Sequence, residues 1–355
     1  MTIFIKDNNT YRVAGEKAID IRHTLPAGTY VVQQDQFGAY YLEQINDFTI
    51  PVRMYGDVEK QTTRIINTFN QRTVSTGVLL TGEKGSGKSM LAKNIAVELA
   101  KLEVPTIVIN TKWLGDDFNK FIQSIDQPAV VLFDEFEKVY KPSEQEQLLS
   151  LLDGVYITKK LFLFTSNDVH NINYYLLNRP GRVYYTIRYT GLDSAFIIDY
   201  CNDVLNEKTH INTICKIAML FNAFNFDLLK ALVEEMNRYN ESPQEALQML
   251  NAIPEDRENL FTVTVTTAGN LVPMDEIYDE GEWSGNPLHP YGIEVRVREY
   301  TEDREDWEYA VITMSPADLV ATNYITGEFI FDDKQGNTIT LTKQVNKRFN
   351  FNAIY

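Results

Sequence analysis

The chain has 355 residues, 44% hydrophobic and 23% charged, with a net charge of −16; this is ordinary globular composition, enough for about two to three domains and unlike a disordered chain. The acidic balance disfavours non-specific attachment to nucleic acid or anionic lipid, and the two cysteines, Cys201 and Cys215, cannot form a disulfide framework and suit a reducing cytoplasm, a host's cytoplasm if the source is viral. Four scattered histidines argue against a His-rich metal centre, no apolar run approaches the roughly 20 residues of a membrane span, and the first residues lack the apolar core of a signal peptide.

Residues 1–50 read as short strands (TIFI, AIDIRHTL, GTYVVQQ, AYYLEQI, FTIPV) separated by Asn-Asn, Pro-Ala-Gly and Phe-Gly. From about residue 58 the pattern turns helical, then alternates between buried strands and helices. VLLTG (78–82), PTIVIN (105–110), AVVLF (129–133) and LFLFTSN (161–167) are the strands. The helices between them are Ser89–Leu102, with Leu91, Ile95 and Leu99 on one face, the stretch 116–125, and Ser143–Leu152, with Ser143 and Glu146 as a capping box. Such alternation predicts an α/β fold with a parallel sheet covered on both faces.

Residues 191–252 predict helices capped by Asp193, by Asp227 and by Ser242 with Glu245. Beyond Pro254 strand texture returns in NLFTVTVTT, YGIEVRVREY, WEYAVITM, GEFIFDD and NTITLTK, with 274–287 as a long acidic loop. Residues 255–355 hold 19 acidic and 8 basic residues, a net of −11, so most of the charge excess sits there. The stretch EDREDWE (302–308) is either a solvated edge or a docking surface for a basic partner.

Gly82-Glu83-Lys84-Gly85-Ser86-Gly87-Lys88-Ser89 fits G-x-x-x-x-G-K-[ST], with an apolar strand before it and a helix, opening on Ser89 and Met90, after it. Glycines there let backbone N–H groups wrap a β-phosphate at a helix N-terminus. Lys88 would reach the β- and γ-phosphates and Ser89 would give an oxygen to Mg²⁺; without that context the stretch is a glycine turn. Val130-Val131-Leu132-Phe133 then leads to Asp134 and Glu135. Two carboxylates at the carboxyl end of a buried strand stand where open α/β sheets place their sites, Asp134 for Mg²⁺ and Glu135 as general base on water. Asn167 ends the next strand, where an amide could orient that water; alone it would be a turn residue. Arg179 and Arg182 bracket a Pro-Gly turn, with no obvious acidic partner nearby. Such arginines either neutralise γ-phosphate charge in trans or form a solvated basic turn.

GEKGSGKS, VVLFDE, QLLSLLDG, FTSN and NRPGR, in this order, resemble an AAA+ ATPase of the AAA clade proper over roughly residues 55–240. FNFDLLKAL (224–232) is similar to that clade's lid-helix segment. The resemblance implies a P-loop AAA+ parallel-sheet domain with a small α-helical lid. It also implies ATP and Mg²⁺ at a subunit interface and a homo-oligomeric ring, commonly a hexamer. It gives Asn167 the sensor-1 role, Arg179 and Arg182 the arginine-finger roles, and Tyr55-Gly56-Asp57 an adenine-contacting position. Trp113-Leu114-Gly115 falls where the family has a pore loop gripping an extended polypeptide, the alternative being that Trp113 packs into the core. Departures are Glu83 and Lys84 in place of prolines, no lid arginine sensor in 227–240, and Val183-Tyr184 after the second finger arginine.

The expected layout is a β-rich N-terminal segment (1–54), a large ATPase domain (55–190), a helical lid (191–253) and an acidic β-rich C-terminal domain (254–355). The expected function is an ATP-driven ring that remodels, unfolds or disassembles a protein substrate, directly or through an adaptor. The alternatives are a nucleic-acid motor or loader, which the acidity disfavours, and a nucleotide-gated scaffold with slow hydrolysis.

Overall fold

Apolar runs too short for helices, and buried along their whole length, lay down the central sheet. The computed structural model describes residues 2–7, 10–15, 20–153, 159–177, 179–221, 224–252, 259–300 and 307–344. Gly154, Asn178 and residues 302–306, which carry parts of the motifs above, lie outside these. The chain folds as two units: residues 1–52, 60–80 and 89–186, and residues 53–59, 81–88 and 187–355.

The first unit opens with an antiparallel hairpin, β1 (Thr2–Asp7) and β2 (Thr10–Gly15). Then follow β3 (Thr29–Gln34), β4 (Tyr40–Ile45), α1 (Val58–Gln71), β5 (Thr76–Gly82), α2 (Lys88–Ala100), β6 (Thr106–Ile109), α3 (Asp116–Ser124), β7 (Ala129–Phe133), α4 (Phe136–Val139), α5 (Pro142–Gln145), α6 (Leu149–Leu152), β8 (Lys160–Ser166) and β9 (Val183–Tyr189). Seven strands form one sheet in the order β4-β3-β6-β7-β8-β5-β9. The pairs β3·β6, β6·β7 and β7·β8 are parallel. Every residue of β6, β7 and β8 is buried, as a parallel sheet covered on both faces requires. Phe118, Ile122, Phe136, Tyr140 and Leu151 pack on it from the following helices.

Two strands of the N-terminal 54 residues belong to this sheet: β3 pairs in parallel with β6, and β4 is the antiparallel edge beside β3. Pairing between residues so far apart in sequence leaves no local mark in either strand. FTIPV (48–52), expected as a strand, is irregular; Pro51 has no N–H to give a ladder. The helix expected at Ser143 starts at Pro142, and Glu144, not Glu146, accepts the Lys141 N–H at 3.0 Å. Proline is preset for the first helical position, which moves the cap from Ser143 to Lys141, two residues earlier.

The second unit holds four helices, α7 (Ser194–Val204), α8 (Ile211–Ala218), α9 (Phe226–Tyr239) and α10 (Pro243–Met249). They share a core of Ile197, Ile214, Leu229, Leu232 and Val233. Asp193 and Ser242 cap α7 and α10 as expected. The cap of α9 is Asn225, whose Oδ1 accepts the Leu228 N–H at 2.9 Å, and Asp227 lies inside the first turn. Beyond them come β10 (Leu260–Thr267), β11 (Asn270–Leu271), β12 (Glu282–Ser284), β13 (Ile293–Tyr300), β14 (Trp307–Met314), β15 (Leu319–Asn323), β16 (Glu328–Asp332) and β17 (Asn337–Lys343). One sheet runs β11-β10-β17-β16-β15 with β12 on β10, and β13 and β14 form a hairpin. The acidic stretch 274–287 is not one loop: it contains 3-10 turns at Met274–Glu276 and Tyr278–Gly281 and the strand β12.

This β-rich part is fastened to the end of α8. Met219 is buried in the same core as Phe261, Phe329 and Leu341. Lys343 Nζ donates to the Met219 carbonyl at 2.8 Å and to that of Phe221, and Asn259 Nδ2 donates to the Leu220 carbonyl at 3.0 Å. Three consecutive carbonyls at a helix end are thus satisfied by two side chains from elsewhere. Among the described residues no helix is long and apolar enough to cross a membrane.

Candidate active site

The turn from β5 to α2 carries glycines at positive φ: 143° at Gly82, 77° at Gly85 and 99° at Gly87. A Cβ at Gly82 would collide with the Tyr189 carbonyl oxygen, so both the backbone angle and the packing demand glycine there. Lys88 is buried, and its Nζ donates to the carbonyls of Gly82 at 2.6 Å and Glu83 at 2.7 Å. The loop is therefore folded around its own lysine, with Ser86 Oγ 3.4 Å away. Glu83, Lys84 and Ser89 are exposed, and Met90 is half-buried.

At the end of β7 the chain turns into α4 through Glu135, which sits at φ 48°, ψ 47°. That left-handed conformation is costly for a residue with a side chain. The turn is held by Thr165, a buried residue of β8. Its Oγ1 accepts the Glu135 N–H at 2.9 Å and donates to Asp134 Oδ1 at 2.6 Å. One hydroxyl thus fixes both carboxylate-bearing residues. Asn167 stands on the same array: its N–H donates to Glu137 Oε1 at 2.9 Å, and its Nδ2 is 3.5 Å from Glu135 Oε1. Lys138 Nζ pairs with Glu135 Oε1 at 2.5 Å, an exposed pair, and this contact holds the Lys138 ammonium above its ordinary pKa.

Asp134, Glu135 and Asn167 are brought together, then, and Thr165, Glu137 and Lys138 complete the group. Thr165 belongs to no phosphate motif, and its one mark in the sequence is its place two residues before the strand-ending Asn167.

Arg179 is exposed, and the Arg182 and Val183 N–H groups both donate to its carbonyl, closing a tight turn. Arg182, expected without an acidic partner, has one: Nε and Nη2 bond the two oxygens of Asp153 at 2.5 and 2.9 Å, and Nη1 bonds the Tyr175 carbonyl. Asp153 is 29 residues away in sequence, beyond the reach of a local search. Trp113 is half-buried, with its ring edge-to-face on Tyr40 at 5.4 Å and its indole N–H buried without an acceptor. Its backbone N–H donates to the Tyr140 hydroxyl, which in turn donates to the Trp113 carbonyl at 3.1 Å. The side chain packs on the first unit's core, contrary to a fully exposed pore contact. Gly115, at φ 94°, precedes α3 with open space around it.

In the second unit Tyr55 lies among Phe196, Tyr200 and Phe226. Its hydroxyl donates to Asp203 at 2.5 Å, and burial followed by that contact pushes its pKa to about 12. Arg53 bonds Asp199 and Asp203, both at 2.8 Å. Gly56 closely faces Phe196, and Asp57 is exposed.

The sequence model of the ATPase family associated with various cellular activities (AAA) matches residues 78–189. Over these residues the chain is similar to that family's ATPase domain. A Plasmodium falciparum protein described as a cell division cycle ATPase is 26% identical over 240 residues, 59% of this chain and 19% of that protein. A Corynebacterium jeikeium protein described as an AAA ATPase forming ring-shaped complexes is 27% identical over 144 residues, 33% of this chain and 28% of its own length. Protein SAV of Sulfolobus acidocaldarius is 31% identical over 125 residues, 30% of this chain and 16% of its own length. The chain thus matches less than a third of the length of each of these relatives.

Proposed function

We propose that the chain is an ATP-hydrolysing subunit of a homo-oligomeric ring that remodels, unfolds or disassembles a protein. The observation that carries the first half is the Gly82–Ser89 turn, whose glycines hold positive-φ conformations that residues with side chains rarely adopt and whose lysine is ordered on the turn itself. The donor chemistry fits the groups implied. Glycine turns expose N–H groups to a polyphosphate, and the Ser89 hydroxyl and Asp134 carboxylate are the hard oxygen donors Mg²⁺ prefers. Bound ATP with Mg²⁺ supplies the phosphoanhydride and a positive charge against its oxygens.

In this proposal Lys88 turns from its loop carbonyls to the phosphates, Glu135 takes the proton of the attacking water and Asn167 orients that water. Arg179 and Arg182 act on a neighbour's phosphate, which Arg182 can do only by leaving Asp153. Asp57 borders the base. Strands β3 and β4 with residues 55–190 act as the ATPase domain, 191–253 as its lid and 254–355, with the N-terminal hairpin, in choosing the target. The ring draws support from the Corynebacterium relative's description. The loop Trp113-Leu114-Gly115 would contact a threaded protein by its backbone and Leu114 more than by the packed indole.

Nucleotide affinity and phosphate release are measured for the wild type and two variants. Lys88→Ala should lose binding; Glu135→Gln should bind ATP and cease turnover. Full turnover in Glu135→Gln would remove Glu135 from the role of base. For the ring, Arg179→Ala subunits mixed with Glu135→Gln subunits should regain some activity; a monomer hydrolysing at one specific rate at every dilution contradicts it.

A further inference from the structure

Helix α9 begins on the P-loop. The Phe226 N–H donates to the Gly85 carbonyl at 3.1 Å. A Cβ built on Gly85 would lie 2.5 Å from Asp227 Oδ2 and 3.0 Å from Asp227 Cβ, so the carboxylate rests directly against the loop. Gly85 is also at φ 77°, which makes this the one residue type able to hold the turn and admit Asp227. Asp227 is exposed and makes no hydrogen bond or ion pair among the described residues. Its own helix is capped by Asn225, which leaves Asp227 without a capping duty.

A carboxylate here opposes the charge the loop is shaped to take. The N–H groups of such a turn face phosphate, and a polyphosphate brings several negative charges. At separations of about 5–8 Å in a wet site, one unit charge against another changes affinity by roughly threefold to tenfold. We propose that Asp227 is the contact through which the helical segment responds to phosphate on the P-loop. It weakens polyphosphate binding while it lies on Gly85, and phosphate on the loop repels it and loosens the start of α9. This rests on the reading of Gly82–Ser89 as the ATP site. A purely structural role is the alternative, since acidic residues in a helix's first turn favour its dipole; that role alters stability and leaves affinity unchanged.

The test uses the full chain and fluorescent ATP and ADP analogues, with the wild type, Asp227→Asn and Asp227→Ser, the serine variant serving if the asparagine variant folds poorly. Removing the charge should tighten ADP roughly threefold and ATP by more. Both gains should shrink in about 0.5 M salt, where the screening length falls to several ångströms. Affinity that is unchanged, weakened, or tightened equally for both nucleotides at all salt concentrations overturns the proposal while leaving the ATP site in place. A wild type that binds neither nucleotide overturns the ATP-site reading and this proposal with it.

Discussion

Thr165 shows how much of a carboxylate array can hang on a side chain with no charge of its own. It accepts the Glu135 N–H and donates to Asp134, while Glu135 sits in a backbone conformation that needs such support. Thr165→Val keeps the shape and removes both bonds, leaving a backbone N–H unsatisfied. A stability loss of about 1–3 kcal/mol is expected in denaturant unfolding. Turnover should fall between roughly tenfold and hundredfold, because Glu135 shifts, with nucleotide affinity nearly constant. Equal turnover in the valine variant would show that the hydroxyl does not position the carboxylates. The arginines teach the converse lesson. Arg182 was conspicuous in the sequence, yet its bond to Asp153 was not, since nothing in an aspartate after a leucine-rich stretch announces a partner 29 residues on.

Among the elements, the segment from β6 to α3 changes one expectation. Trp113 packs edge-to-face on Tyr40, so Trp113→Ala should destabilise by about 2–3 kcal/mol, less than a fully buried tryptophan loses. Trp113→Phe keeps the ring and deletes an indole N–H that has no acceptor, so its melting temperature should stay close to wild type. A stable Trp113→Ala variant would return the side chain to solvent.

The start of β8 supplies a pH test. Lys160 is buried at 3% exposure, bonds the carbonyls of Ile125 and Gln127, and burial lowers its pKa to about 8. The folded value lies below the unfolded 10.5, so keeping the ammonium costs the fold roughly 3 kcal/mol below about pH 8. That cost fades as pH rises from about 8 towards 10.5. Against Lys160→Met, the wild type should therefore gain relative stability between pH 8 and 9.5, as roughly measured by denaturation midpoints; parallel curves would refute the lowered value.

What the sequence disclosed at this scale follows from physics. β7 and β8 were legible because five to seven buried residues in a row admit few other structures. The P-loop was legible because its chemistry is local. The membership of β3 and β4 in the same sheet was not, since strand pairing is decided by partners distant in sequence. Nor was the cap of α9: Asn225 and Asp227 both suit the position, and the docking of Phe226 on Gly85 goes with the former.

On the scale of the whole chain, the C-terminal β-rich part carries none of the phosphate motifs and so reads as removable. The clasp at α8 argues otherwise. Deleting residues 260–355 strips Lys343 from the carbonyls of Met219 and Phe221, and removes the apolar partners of Met219. The truncated chain should show faster proteolysis within 205–225 and a lower melting temperature than the full chain. Retained protease resistance there would mean that the helices stand alone.

The same clasp has a mechanical meaning. Two polar side chains and a shared core tie the end of α8 to the sheet behind it, so a tilt of α8 would be carried outward into that sheet. A strand of eight residues such as β10 spans roughly 25 Å, and a tilt of about 10° would sweep its tip by roughly 4 Å. Under the proposed function, small angular strokes near a nucleotide would then be geared up into displacements large enough to pry at a bound partner.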